Sequence, residues 1–267
     1  MMIQLQKLDP LYWVKARCST LPQQVYLTWQ GSIYAWQPEA PRQHLFDMVG
    51  MNVGRCLPTE SGTWDFTSRE LAYYLDPQTG ERLHHWQNPW TGETVKVLPV
   101  ANDPVQGRFA QPFSAQVGDE VATFVIDLFL NYPNPLAAEP KFAPYSPQPV
   151  YQAIELFKLS VSAAELWRPE VTEVSQLLLS WDRIGPWLPW MKMGDRPGHL
   201  IYSAQGQKVP DFEALPTLLR SQIATQMPSF RHAPTHKLPQ ASMTSWLYFK
   251  AHFDDYLEAL EALPLSA

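Results

Sequence analysis

The chain is short of several things that would point to a familiar chemistry. It has only two cysteines, Cys18 and Cys56, too few for a disulfide framework or a thiolate metal site, although one disulfide between them stays open. Charged residues make up 17% of the 267 positions, and the net charge of −6 comes with no basic stripe. Neutralising phosphates needs clustered Lys and Arg, so a nucleic-acid partner is not expected. Long apolar runs are missing too. The richest, Val121 to Leu130, is interrupted by Asp127 and is too short to cross a bilayer. Met1 to Arg17 lacks the charged-then-apolar order of a signal peptide, which leads to the expectation of a soluble, cytoplasmic protein. There is no Gly-rich phosphate loop, no Gly-x-Ser-x-Gly elbow and no His-Glu-x-x-His. His232 and His236 are four apart, but Pro234 between them rules out a helical metal pair. Neither a metal nor a cofactor is therefore expected. The oligomeric state is left open by the sequence.

What the chain does have is proline and tryptophan: 26 Pro against 12 Gly, and 11 Trp. So many prolines imply stiff turns between short elements, and so many indoles imply aromatic walls around a core or cavity. One pattern is more specific. Asp76-Pro77-Gln78-Thr79-Gly80-Glu81 is repeated twelve residues on as Asn88-Pro89-Trp90-Thr91-Gly92-Glu93. In each copy a side-chain cap precedes a Pro whose fixed φ suits the first central position of a turn. A Gly four residues after the cap supplies the left-handed residue of a bulged hairpin. Two such turns call for three antiparallel strands, placed at 63–75, 82–87 and 94–100. Alternation predicts further strands over 25–36, 45–56 (with a bulge at Gly50 and Gly54), 121–130, 151–163, 171–184 and 199–204. The proline-dense segment from Asn131 to Pro149 reads as a long ordered loop. Helices are expected over 8–18, from Pro216 to Met227, and from Met243 to Leu260. In the last of these, Met243, Trp246, Phe249, Phe253, Tyr256 and Leu260 form one stripe. Strands followed by helices predict a mainly β protein in a single domain. Its antiparallel meander, over 25–205, closes into a lipocalin-like barrel or a strongly bent sheet, with helices of 211–262 packed on it.

Several segments resemble a family of uncharacterised bacterial proteins grouped as DUF1838. They are Leu45-Phe46 with Gly50-Met51-Asn52-Val53-Gly54-Arg55-Cys56, Ser68-Arg69-Glu70, Trp86-Gln87-Asn88-Pro89 in the doubled turn, Trp187-Leu188-Pro189-Trp190-Met191, and Ser245-Trp246 with Phe249-Lys250. The resemblance covers nearly the whole chain and supports a single domain. It implies no activity, so no role passes from it to any residue here.

Four groups of residues stand out as site candidates. His84 and His85 lie in a strand with Trp86, and alternation lets only one of the two face a cavity, where it would act as a base or a donor; the bland alternative is a pair of wall histidines. Arg69 shares a face with Thr67, Leu71 and Tyr73, while Glu70 shares the other with Ser68, Ala72 and Tyr74. An inward Arg69 would anchor a carboxylate or phosphate, and an outward one would pair with Glu81 or Glu93 across strands. Asp127 and Glu155 are isolated carboxylates in apolar strands. They would be acids or bases if buried unpaired, or members of internal ion pairs with a partner such as Arg183. Finally, the segment from Trp181 to Met193 gathers Trp181, Trp187, Trp190 and Met191 between prolines. It reads either as an aromatic rim over a ligand or as a hydrophobic plug against the C-terminal helices. The expected partner is a small hydrophobic or aromatic molecule bound in the barrel. The alternatives are a cofactor-independent isomerase, cyclase or lyase on the same barrel, and a protein-interaction module using the Trp-rich loop.

Overall fold

The computed structural model describes residues 4–261. In chain order the elements are β1 (Gln4–Leu8), α1 (Pro10–Arg17), β2 (Val25–Trp36), β3 (Gln43–Pro58), β4 (Trp64–Leu75), β5 (His85–Gln87), β6 (Thr94–Lys96), β7 (Val100–Phe109) and β8 (Phe113–Val117). They continue with β9 (Val121–Pro133), β10 (Val150–Ser162), α2 (Ala163–Leu166), β11 (Leu177–Gly185), β12 (His199–Val209), α3 (Thr217–Thr225), α4 (Ser245–Ala251) and α5 (Phe253–Glu261). Ten strands form one antiparallel sheet in the order β1-β8-β9-β10-β11-β12-β2-β3-β4-β7, curled into a half-barrel, and β5–β6 is a separate hairpin. Of the two expected forms the bent sheet is the one present: the end strands β1 and β7 do not pair.

Both copies of the doubled turn form as the sequence implies. Asp76 Oδ1 accepts from the Gln78 and Thr79 amides, Asn88 Oδ1 accepts from those of Trp90 and Thr91, and Gly80 and Gly92 take φ of 72° and 74°. The three-strand meander does not continue through them, however. The strand after the first turn touches β4 only through the Leu75–Arg82 bridge, and β4 takes β7 as its ladder partner instead. The bulge in β3 falls at Leu45, opposite Ile33 and Tyr34, rather than at a glycine. Gly50 and Gly206 have a packing role: a Cβ at Gly50 would collide with the Trp29 indole, and one at Gly206 with the Thr28 carbonyl and the Trp29 Cβ on the neighbouring strand.

The elements that cover the sheet define its two faces. On the convex side α3 places Leu219 and Ile223 on Tyr26, Met51, Val53 and Leu71. On the concave side α1, opened by Asp9 capping the Leu11 amide and by Pro10, closes one end with Trp13 and Ala16. The other end is filled by the Trp-rich loop and by α4 and α5, one apolar stripe broken at His252. There Trp246, Phe249, Phe253 and Tyr256 are all buried. The free edge of β7 is covered by chain rather than exposed. Gln106 bonds Ser242 Oγ through its amide and the Leu238 carbonyl through its side chain, and the Met243 amide bonds Pro104 O.

Candidate functional site

The curl forms a half-open chamber of about 550 Å³ between β2–β4 and β7 on one side and β8–β11 on the other, floored by α1. On the open side of the half-barrel, β7 and β9 face each other without pairing, and Val105, Arg108, Ile126 and Leu128 line the chamber there. Its walls are mostly apolar, with Phe66, Phe109, Phe113, Phe157, Leu159 and Leu179 among them. A second space of about 270 Å³, toward α4, shares Trp29, Glu70, Val105, Glu155 and Trp181 with the first, so these five form a common neck.

Polar groups in this interior arise from register. Pairing sets Asn52 opposite Glu70 and Glu70 opposite Asn102, three inward polar residues in one row across β3, β4 and β7. Asn102 Nδ2 donates to Glu70 Oε2 at 2.9 Å. Asn52 Nδ2 donates to Ser68 Oγ at 3.0 Å, and Ser68 passes its own hydrogen to Val105 O at 2.9 Å. From the floor, Arg17 Nη2 donates to Asn52 Oδ1 at 2.6 Å, and its guanidinium lies 5.3 Å from the centre of the Phe66 ring. Beyond the neck, Arg183 Nη2 donates to Tyr151 Oη at 2.6 Å, and Arg183 Nε sits 3.4 Å from Glu155 Oε1.

Two carboxylates therefore share one interior with different partners. Burial raises the pKa of Glu70, and the nearby Glu155 charge adds to this; the Asn102 hydrogen bond and the Arg183 and Arg17 charges only partly oppose it. Glu155 instead has a buried cation at hand. Burial alone would lower the Arg183 guanidinium, but Tyr151, Tyr202 and Glu155 outweigh it and hold its pKa above the ordinary value. Burial likewise pushes the Tyr202 hydroxyl up to about 12. Four polar hydrogens of residues lining the chamber have no partner: Trp13 Nε1, Trp29 Nε1, Trp181 Nε1 and Arg17 Nη1. A buried donor without an acceptor costs about 1–3 kcal/mol, so these four are unfavourable positions in the wall.

The expected site residues divide sharply. Glu155, Trp181 and Arg183 come together at the neck, and Glu155 and Arg183 form the internal pair. Arg69 and Tyr73 are on the convex face. Arg69 pairs with Asp103 at 2.8 Å and donates to the carbonyls of Ser229 and His232, while Tyr73 lies under the Arg82 guanidinium. The inward residue of the Ser68-Arg69-Glu70 run is Glu70. Asp127 is exposed on the outer surface, as is Asp182. His84 and His85 are both exposed on the small hairpin, so neither faces a cavity. The loop with Trp187, Trp190 and Met191 is a plug. All three are buried, the Tyr256 hydroxyl donates to Trp190 O at 3.0 Å, and Trp86 packs edge-on against Trp190. Cys18 and Cys56 are free thiols buried side by side behind Arg17, and burial pushes the Cys56 thiol up. Sequence reasoning passed over Trp13, Arg17, Trp29 and Asn52. The available signals were the i, i+4 spacing of Trp13 and Arg17 on α1, and an Asn set among Val49, Met51 and Val53.

Fold and site together define a curled antiparallel half-barrel with a mostly apolar, half-open chamber and a polar neck. A family profile described as "Protein of unknown function (DUF1838)" matches residues 22–253, and the chain belongs to this family. No curated protein matches the chain. The match takes in the Asn52–Glu70–Asn102 row and the Glu155–Arg183 pair; α1, with Trp13 and Arg17, precedes it. No helix among the described residues is long and apolar enough to cross a membrane.

Proposed function

We propose that this protein binds a small, mostly apolar molecule in the chamber between α1 and the neck. The observation that carries the reading is the half-open space of about 550 Å³, walled mainly by Phe, Leu and Trp side chains. A chamber of this size falls within the usual range for small-ligand sites, about 300–1,000 Å³. An ordinary core would close such a space, because apolar voids cost stability without return. Titrating the full chain with an environment-sensitive apolar fluorophore tests it. Saturable one-to-one binding is expected, and Leu179→Trp, which fills the chamber from β11, should abolish it while leaving the far-UV circular dichroism intact. Equal binding by this variant would place the fluorophore elsewhere and count against the reading.

A second reading, catalysis of a proton shift on the bound molecule, is favoured by Glu70. A carboxyl with a raised pKa beside an apolar space, near a second carboxylate paired with Arg183, is a candidate acid or base. On that reading Glu70→Gln removes turnover yet retains binding, and unchanged turnover in the variant would exclude Glu70 as the acid or base.

A further inference from the structure

The strongest clue to what occupies the chamber is a charge without a counter-charge. Arg17 is 8% exposed, and its guanidinium makes one hydrogen bond, to the neutral Asn52 side chain. No carboxylate among the described residues forms an ion pair with it, and its Nη1 donates to nothing. The other inward arginine differs: Arg183 has Glu155 and Tyr151. Removing a guanidinium from water is costly unless an anion or several acceptors replace the water, and a sequence gains nothing by keeping an unbalanced one in an aromatic pocket. Arg17 does not stand alone. Trp13, one helical turn earlier on α1, lines the same chamber and also has a free donor, Nε1. Residues at i and i+4 share a helix face, so the Trp13 and Arg17 side chains line the chamber from one side. A planar oxyanion with two acceptor oxygens suits a guanidinium edge and a neighbouring indole N–H.

We infer that the occupant is a monocarboxylic acid with an apolar body: its carboxylate seats on Arg17 at the floor, and its hydrocarbon or aromatic part lies along Phe66, Phe113, Phe157 and Leu159. This rests on the ligand-binding reading above and narrows it to a class. A single acid group is implied because the walls beyond the floor are mostly apolar and the other nearby cations, Arg108 and Arg183, are already paired with Asp65 and Glu155. Glu70 faces the same space, and burial raises its pKa.

The test compares acids with their uncharged counterparts on the full chain at neutral pH: decanoate against decanol, and naphthoate against naphthylmethanol, by calorimetry. The wild-type protein should bind at least one acid about tenfold or more tightly than its alcohol, the scale expected of a charge-assisted hydrogen bond. In Arg17→Met the preference should vanish while the alcohol's affinity stays within about twofold, since only the charged contact is lost. Arg17→Lys, which keeps the charge on a slimmer head, should retain part of the preference, and it serves as the readout if Arg17→Met fails to fold. Equal affinities for acid and alcohol in the wild type, or a preference that survives in Arg17→Met, would overturn this inference and leave an apolar site standing. Binding of none of the four compounds would overturn the inference and the ligand-binding reading together.

Discussion

Arg17 and Glu70 look into the same chamber from helix and sheet, and the raised pKa of the carboxyl leaves a mark on folding. A carboxyl whose pKa is raised on folding binds its proton more tightly in the native state than in the unfolded chain. Its contribution to stability is therefore complete at low pH and is lost as pH climbs through the raised native value. Glu70→Gln, fixed in the neutral form, should melt at a higher temperature than the wild type at pH 8. The gap should close as pH falls toward the ordinary Glu value of about 4.3. Melting curves of both proteins across that range check the sign. A variant less stable at pH 8 than the wild type would show that the ionised carboxylate is the stabilised form. At this scale the sequence was half legible. Alternation correctly put Arg69 with Tyr73 and Glu70 with Tyr74, but it could not say which set faces inward. Both faces of β4 are covered, by α3 on one side and by the chamber walls on the other, so neither reads as solvent.

Among the elements, the doubled turn is the best-defined piece of local structure, yet its two copies do different work. Asp76 caps its turn in the open. Asn88 is fully buried, and besides capping its own turn its amide donates to the Met191 carbonyl at 2.9 Å, tying the small hairpin to the Trp-rich plug. Asn88→Ala should therefore cost about 2–3 kcal/mol in denaturant unfolding, because it strands a buried carbonyl and two turn amides. Asp76→Ala should cost distinctly less, and equal losses would mean that the plug is not held by Asn88. The turns, β2, β10 and the stripe of α4 and α5 were readable because each is set by local residues: caps, a left-handed Gly, or a period of two or of about three and a half. The strands β1, β7 and β8 were not. Pro104 and Gly107 interrupt the pattern of β7, and β1 and β8 are five residues each, too short for alternation to show. The Trp-rich loop had the right composition for a rim, but only the docking of α5 through Tyr256 makes it a plug.

For the whole molecule, a half-barrel has two ends and an open side to close, and the chain closes each with a different segment. The helix α1 and its neighbour α2 take one end, the plug with α4 and α5 takes the other, and residues 238–243 run along the free edge of β7. What the closure leaves is a mostly apolar space of about 550 Å³ with a polar neck. That space is the centre of the account, and native mass spectrometry of the protein purified gently from the cells that make it addresses it most directly. The account predicts a bound species that the wild-type chain carries, that is lost on denaturation, and that Leu179→Trp does not carry. A wild-type protein that arrives at its bare chain mass, or a bound species retained equally by the filled variant, would contradict it.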